Sequence, residues 1–559
     1  MKINIQRINA WFAMRTVGLI RYRGYFLAGF AIILALAFYG TSLIQVDVSN
    51  ESNFLPNDPI RQQTQEFEEL FGNDQYVAVM VENEHLFSRE TLLKLRDLHH
   101  ELYDSVPFAE KVTSLIDVEY TTGTAYGMSI EQIVPEEIPE SEEALEEIRK
   151  RAFSKPSFRE RLISSDGTQT WIMVKLLPFP EEWEESYEEY PLLMVGSAVD
   201  HILGKEKYSE LNPRGTGMPY LAHEKREYFQ QETARVMGLA LLMAILVLAV
   251  ALRSFKGVLI PLLTAFSYIV IVNGMIGFSG IAVDNMVMVF PLLIGLAVAL
   301  AYSIHIYSFY KRDFLKRGSR KGAVIHAMSE MGWPVFFTAL TTVCALLSFV
   351  FIPIRTVRFI GLTTAAVVAT TYFVIILLMP ALLSFGKDRK PHPVYSRNGG
   401  TFFERKLSQL GDWVISHTRI IAPLYLVITG VLVVGVTRVE ADIDIRKNIG
   451  LKVPYVNELF EVTQTELGAL YSYDVVIDLN EPGRAKHPQV LQHLDTLSRE
   501  IETFPLTKRT QSLLEIIKDM NQVLNEDDPQ AYAIPENQDM IAQLLLLYEN
   551  AGGTESEYW

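Results

Sequence analysis

Seven long apolar segments constrain what this chain can fold into. Each is close to the ~20 residues that an α-helix needs to cross a hydrocarbon layer about 30 Å thick. Because backbone polar groups find no water in that layer, such segments must be helical. The sequence therefore predicts membrane-spanning helices at 25–46, 233–252, 257–279, 285–309, 334–353, 359–383 and 419–438.

The cations between these segments predict their orientation. Three connections rich in Lys and Arg fall on the side of the N-terminus: 253–256, 311–321 and 386–406. By the positive-inside rule this side is cytoplasmic, so 47–232 and 439–559 are expected outside the cytoplasm. The N-terminal 1–24 carries cations and no acid, with Ile5, Ile8 and Phe12 at helical spacing. This pattern predicts an amphipathic helix on the cytoplasmic face.

The first soluble region is expected to be a compact α+β domain. Strands are predicted at 76–82 and 168–177, and helices at 88–105 and 192–204. Glutamate-rich runs at 136–147 and 181–189 are typical of solvated faces and predict no ligand. A turn is predicted within 212–220, just before the second span.

A weak internal repeat divides the chain. FEELFGNDQYVAVMVE follows the first span, and TQTELGALYSYDVVIDL follows the seventh; SVPFAEKVTSLIDV is echoed later by TFPLTKRTQSLLEII. The order and spacing predict a tandem duplication in which one span and one soluble domain open each unit, a common plan in transporters. The second unit lacks five further spans and is predicted to be incomplete.

Composition narrows the function classes. The chain has 559 residues, of which 49% are hydrophobic, and this content favours a membrane protein. Its formal charge of −16 excludes a nucleic-acid partner, because an acidic surface repels phosphate. Cys344 is the single cysteine, so an intramolecular disulfide is excluded. No phosphate loop, HExxH or nucleophile elbow occurs. We therefore expect neither an enzyme nor a cofactor or metal site.

Polar residues inside the fourth span mark the candidate site. Tyr302, Ser303 and His305 lie near the end of an apolar run, where polar groups are costly and should face other helices. Ser303 is equally well explained as a packing residue, and His305 as a histidine with one structural partner. Weaker candidates are Asp284, which we expect at the external interface, and Thr338, Thr341 and Thr342, which more often bond their own helix.

These features resemble the resistance-nodulation-division superfamily, in particular the branch of hydrophobe and lipid exporters that includes the mycobacterial large membrane proteins and the hopanoid transporters. The resemblance rests on the 1 + 5 spans, the large loop after the first span, the G-x-P turn at Gly217 and the sequence GLAVALAYSIH. Spans two to six also resemble the sterol-sensing module. Proton-driven relatives often carry Asp immediately before the motif tyrosine, where this chain has Ala301.

The resemblance implies an α-helical membrane bundle with α+β extracytoplasmic domains of ferredoxin-like porter type, in a tandem repeat with an incomplete second half. The predicted divisions are 1–24 (amphipathic segment), 25–46 (span one), 47–232 (first porter-like domain), 233–385 (spans two to six), 386–418 (cytoplasmic linker and amphipathic helix), 419–438 (span seven) and 439–559 (second porter-like domain).

The implied function is export or shuttling of a lipid or other hydrophobic molecule from a bacterial inner membrane towards the periplasm. Tyr302, Ser303 and His305 would form the polar centre, and His305 would be the candidate proton relay because Ala301 cannot titrate. The alternatives are a lipid or sterol sensor without transport, and a truncated half of a longer exporter. Expected partners are the lipid, the membrane, and either further copies of the chain or a second subunit supplying the missing half.

Overall fold

A computed structural model describes residues 5–45, 54–55, 57–71, 75–124, 127–154, 158, 162–180, 183, 186–187, 189–283, 285–390, 402–439, 445–469 and 472–550. The chain divides into two compact units. The first comprises Met1–Arg61 and Tyr228–Asp442, and the second comprises Gln62–Glu227 and Ile443–Trp559. Both units are therefore built from segments far apart in sequence.

The described helices of eight residues or more are α1 Ile5–Arg21, α2 Arg23–Thr41, α3 Pro59–Phe71, α4 Arg89–Ser105, α5 Glu142–Ser154, α6 Pro191–Leu203, α7 Met218–Leu252, α8 Phe255–Ser279, α9 Asn285–Arg317, α10 Arg320–Leu347, α11 Arg355–Leu383, α12 Phe402–Ser416, α13 Thr418–Val436, α14 Pro454–Gln464, α15 Pro488–Glu502, α16 Leu513–Leu524 and α17 Gln538–Asn550. The strands are β1 Tyr76–Glu82, β2 Ala109–Ser114, β3 Glu119–Thr124, β4 Gly127–Gln132, β5 Gln169–Leu176 and β6 Arg214–Thr216.

Seven of the described helices are long and apolar enough to cross a membrane, as predicted: α2, α7, α8, α9, α10, α11 and α13. Their ends follow local rules. The side chain of Ser319 caps the start of α10 by accepting from the backbone N–H of Gly322. At the other end of a span, Gly280 ends α8 in the left-handed conformation, with φ of 65°. The chain is thus a multi-pass membrane protein.

Small residues allow α2 and α8 to pack closely in the first unit. A Cβ atom on Gly274 would lie 2.3 Å from the carbonyl oxygen of Ala37, and one on Gly40 would lie 2.6 Å from that of Gly274. No side chain fits in these gaps. Helices in lipid associate through such backbone contacts because apolar side chains gain nothing by leaving a medium that is itself apolar.

The predicted N-terminal amphipathic helix is formed as α1, but part of its apolar face contacts protein. The ring of Phe12 lies against Gly332 of α10, where a Cβ atom would be 2.5 Å from it. Ser329 of α10 also donates to the carbonyl of Asn9, at 3.2 Å. Trp11 and Met14 remain 49% and 67% exposed. The position of α1 on a membrane face stays a prediction.

The second unit contains a four-stranded antiparallel sheet in the order β2-β5-β1-β6. Its strands β1 and β5 and its helices α4 and α6 match the predicted elements to within two residues. The connections run β1-α4-β2 and β5-α6-β6, and the hairpin β3-β4 and α5 are inserted between them. Within 212–220, the backbone takes positive φ at Asn212 (41°) and at Gly217 (99°), and β6 lies between these two residues. Gly217 forms the turn that joins β6 to α7.

Both faces of the central strand β1 are buried. Val77, Val79 and Val81 join the core formed with α4 and α6. On the opposite face Met80 and Trp171 contact Val462 and Leu467, which lie in and just after α14. Part of the second soluble region therefore covers the sheet of the first.

In the predicted repeat, the counterpart of β1 is not a strand. The segment 472–479, which aligns with β1, forms no strand in the part of the chain that the structure describes. A strand exists only with ladder partners, and β1 has two, β5 and β6. Residues 475 and 476 are valines that are 65% and 54% exposed.

Candidate functional site

Helix α9 carries the polar motif of the fourth span. Its long apolar run keeps the backbone helical, and Pro291 is accommodated within it. Gly295 is the first residue of the GLAVALAYSIH motif, and it lies where α9 packs closely against α8 and α11. A Cβ atom at this position would lie 2.3 Å from Val367 of α11 and 2.8 Å from the ring of Tyr268 of α8. The hydroxyl of Tyr268 donates to the carbonyl of Leu292 at 2.9 Å, which fixes α8 against α9.

Two of the three predicted site residues lie in the core of the bundle. Tyr302 is 5% exposed and Ser303 is fully buried. The Oγ atom of Ser303 has no hydrogen-bond partner among the described residues, and neither has the Oγ1 atom of the fully buried Thr371 on α11. Buried hydroxyls are normally paired, so these two are candidates for contact with water or a polar ligand.

The third residue, His305, does not join them. It lies on the exposed face of α9, four residues from the exposed Ala301. Residues three to four apart share a helix face, whereas residues two apart do not, so burial of Ser303 turns His305 outward. Within the described residues, the predicted cluster of three therefore separates into a buried pair and an exposed histidine.

The weaker candidates show mostly local bonding. Each of the three threonines on α10 donates to a carbonyl of the preceding turn: Thr338 to Pro334 at 2.9 Å, Thr341 to Phe337 at 3.0 Å and Thr342 to Thr338 at 2.9 Å. This is the bonding to their own helix that the sequence favoured. Asp284 lies outside the described residues.

Sequence reasoning missed a polar anchor at the C-terminal part of α9. The hydroxyl of Tyr307 lies 2.7 Å from the Oγ atom of Ser254, and Lys311 donates to the carbonyl of Leu252 at 2.5 Å. Further along, Arg320 donates to the hydroxyl of Tyr310 at 2.8 Å. These bonds tie α9 to the α7–α8 connection and to the start of α10. Tyrosines at helical spacing just before the cations were the available signal.

An aromatic groove, also missed, lies between α1, α10 and α11. It has a volume of about 460 Å³ and is lined by Arg7, Ile8, Trp11, Phe12, Trp333, Phe336, Tyr372 and Phe373. Except for the guanidinium of Arg7 and the polar atoms of the tryptophans and the tyrosine, its walls are apolar. The sequence signal was the WPVFF run at 333–337, but its partners on α1 are more than 300 residues away.

Comparison with known proteins gives the family. Two relatives are the probable transport protein MmpL8 of Mycobacterium bovis and the sulfolipid-1 exporter MmpL8 of Mycobacterium tuberculosis, each 23% identical over 232 residues. The match covers 41% of this chain and 21% of each relative, so the chain matches only about a fifth of their length. The MMPL family model matches residues 58–413, which is more than half of the chain. The chain therefore belongs to the MMPL family.

Proposed function

We propose that this protein moves a lipid or other hydrophobic molecule out of a bacterial inner membrane towards the periplasm. Family membership supports a transport role, and one relative is named as a lipid exporter. The observation that carries the lipid assignment is the aromatic groove on the membrane unit. Aromatic rings provide large apolar contact areas, and a guanidinium pairs with phosphate or carboxylate groups. The groove thus suits an amphiphile with an anionic headgroup.

The proposal includes porter-like external domains and a tandem repeat. The sheet order β2-β5-β1-β6 with two β-α-β connections supports a ferredoxin-like porter domain. The exposed face of α9, which presents Ala297, Ala301, His305 and Ser308, suits close approach of a further helix. In the proposed assembly this helix comes from another copy or from a second subunit.

The test uses the full chain in vesicles of phosphatidylethanolamine and phosphatidylglycerol. A phosphatidylglycerol carrying a diazirine on its acyl chain serves as the binding probe. Trp11→Ala removes an exposed groove wall, and Trp413→Ala is the matched control, because the two side chains are 49% and 53% exposed and Trp413 does not line the groove. We expect photolabelling of α1 and α10 to fall about tenfold in Trp11→Ala, the equivalent of 1.4 kcal/mol, and to be unchanged in Trp413→Ala.

A second measurement separates transport from sensing. Fluorescent phosphatidylglycerol is placed in one leaflet of the vesicles, and its appearance in the other leaflet is followed by quenching. Faster movement with the wild-type protein than with Trp11→Ala supports transport. Binding without any movement contradicts transport and leaves the sensor role. Equal labelling of wild type and Trp11→Ala contradicts the groove as the lipid site.

One observation favours the sensor as the second candidate. By the family resemblance, Ala301 stands where proton-driven relatives often carry Asp, and alanine cannot take up a proton. If the chain is a transporter, coupling must use His305, a second subunit or the gradient of the lipid itself. In the vesicle assay, a transmembrane pH gradient that changes lipid movement in the wild type but not in His305→Gln would support a relay at His305.

A further inference from the structure

A histidine and two carboxylates converge in the second unit, at the contact between α6 and the start of α7. One ligand atom each of Asp200, His223 and Glu224 lies within 4.8 Å of the other two. The Nε2 atom of His223 is 3.8 Å from the Oδ2 atom of Asp200. This is too long for a hydrogen bond, and the described residues place no other hydrogen-bond partner on the ring.

The packing of the two helices positions these groups. Gly196 lies one turn before Asp200 on α6, and a Cβ atom on it would be 2.2 Å from the carbonyl oxygen of Pro219 and 2.6 Å from the Cβ atom of His223. Only glycine permits this approach. The side chain of His223 is 13% exposed and that of Asp200 is 48% exposed. The imidazole is thus held in a sheltered position near the carboxylates, and solvent reaches the site at the more exposed side chain of Asp200.

The surrounding charge is negative. The carboxyl group of Glu224 is within electrostatic range of Asp200, Glu458 and Glu227. Partial burial, followed by the neighbouring Glu461, raises the pKa of Glu458; Asp200 adds to the rise and Arg214 opposes it. Carboxylates that repel one another in this way are stabilised by a shared cation.

We propose that Asp200, His223 and Glu224 bind a divalent transition metal, and that zinc is the ion the donor set fits best. Imidazole nitrogen with carboxylate oxygens is a common zinc set, whereas calcium and magnesium take oxygen ligands alone. Ligand atoms about 2.1 Å from a tetrahedral ion are about 3.4 Å apart, so side-chain rotation closes the present separations. Water completes the coordination on the exposed side. The bound ion cross-links α6 to α7.

The test measures zinc binding by the full chain with any affinity tag removed, after dialysis against a chelator. Isothermal titration with zinc alone gives stoichiometry and affinity. Asp200→Asn preserves shape and removes the charged ligand, and His223→Gln removes the imidazole. His201→Gln is the matched control, because His201 is the next residue on α6 and is exposed. We expect one site per chain that weakens at least about tenfold in both ligand variants and is unchanged in the control.

Thermal unfolding supplies an independent readout. Zinc is expected to raise the unfolding temperature of the wild type and of His201→Gln but not that of Asp200→Asn, because only a ligand of the folded state stabilises it. Monodispersity on size-exclusion chromatography shows that each variant is folded. Equal zinc affinity in the wild type and both ligand variants, or an equal loss in His201→Gln, would overturn the proposal and leave His223 and Asp200 as an ion pair.

Discussion

The buried hydroxyl of Ser303 costs stability and is therefore a candidate for a functional role. It is fully buried without a partner among the described residues. A buried polar atom left unpaired costs about 1–3 kcal/mol, so its presence in a well-packed core needs a reason. A role in binding water or a polar part of the substrate supplies one.

Replacing Ser303 by alanine tests this role. We expect Ser303→Ala to keep or raise stability by roughly 1 kcal/mol, because an unsatisfied hydroxyl is removed, and to slow lipid movement in the vesicle assay. The checks are the unfolding temperature and the rate of leaflet exchange. If lipid movement keeps its wild-type rate, the polar-centre proposal for Ser303 is wrong.

Buried His99 in the second unit makes the stability of the protein depend on pH. It is 8% exposed, and its Nδ1 atom lies 2.9 Å from the Oγ atom of Ser114. Burial, with a smaller effect of His100, lowers the pKa of His99 to about 4. Between pH 4 and pH 6.5, His99 therefore binds a proton in the unfolded state but not in the folded state. The folded state is thus fully stable with respect to this group above pH 6.5, and it loses stability as the pH falls towards 4.

We expect acidification from pH 7 to pH 5 to cost about 2 kcal/mol through this group. The measurement is the unfolding temperature across that range. His99→Asn should make the unfolding temperature nearly independent of pH in this range. His100→Asn alters an exposed neighbour, so it should preserve most of the pH dependence. The same slope in His99→Asn and the wild type would exclude His99 as the cause. Glu101 changes the stability only below this pH range. Burial acts to raise its pKa, but hydrogen bonds from Lys205, Lys207 and Tyr208 outweigh that effect and lower the pKa to about 2. The stabilisation from Glu101 is therefore lost only as the pH falls from 4.5 towards 2.

At the scale of elements, close helix approach depends on single glycines. Gly295 leaves no space for a methyl group between α8, α9 and α11. Gly430 of α13 has nothing within 4 Å of a Cβ atom. The same substitution should therefore have opposite effects at the two positions.

Gly295→Ala should destabilise the protein by about 1–3 kcal/mol through overpacking. Gly430→Ala should be neutral or stabilising by up to about 1 kcal/mol, because alanine favours a helix more than glycine does. Thermal unfolding in detergent compares them directly. Equal effects of the two substitutions would mean that the three-helix contact at Gly295 is looser than the structure shows.

At the scale of the whole molecule, the second unit is completed by residues from both soluble regions. The indole N–H of Trp171 on β5 donates to the carbonyl of Leu467 at 3.3 Å, and the Oγ atom of Ser165 donates to Glu466 at 2.8 Å. The side chain of Leu467 is 1% exposed. The sheet thus depends on a segment that follows it by about 300 residues.

Leu467→Ala should cost about 2–5 kcal/mol, because it leaves a cavity over the sheet, and should increase hydrogen exchange in α14. Leu506→Ala is the matched control, since Leu506 is 97% exposed. The measurement is hydrogen exchange followed by mass spectrometry on the full chain. Unchanged exchange in α14 of Leu467→Ala would show that this covering contact is weak.

The sequence by itself determined the elements. The length of the apolar runs predicted seven membrane helices, and periodicity located β1, β5, α4 and α6, because both signals depend on neighbouring residues. The G-x-P turn at Gly217 and the bonding of the threonines on α10 to their own helix follow from local rules too. The segment 472–479, which the predicted repeat pairs with β1, forms no strand, since a strand also requires partners elsewhere in the chain.

Only the tertiary structure decided which residues meet. Ser303 and His305 are two positions apart, and their opposite exposures depend on how α8 and α11 pack around α9. The groove joins α1 to α10 and α11, the zinc ligands join α6 to α7, and Leu467 reaches β5. Local sequence sets the period of a helix, but the direction that each side chain faces is set by burial against elements distant in the chain.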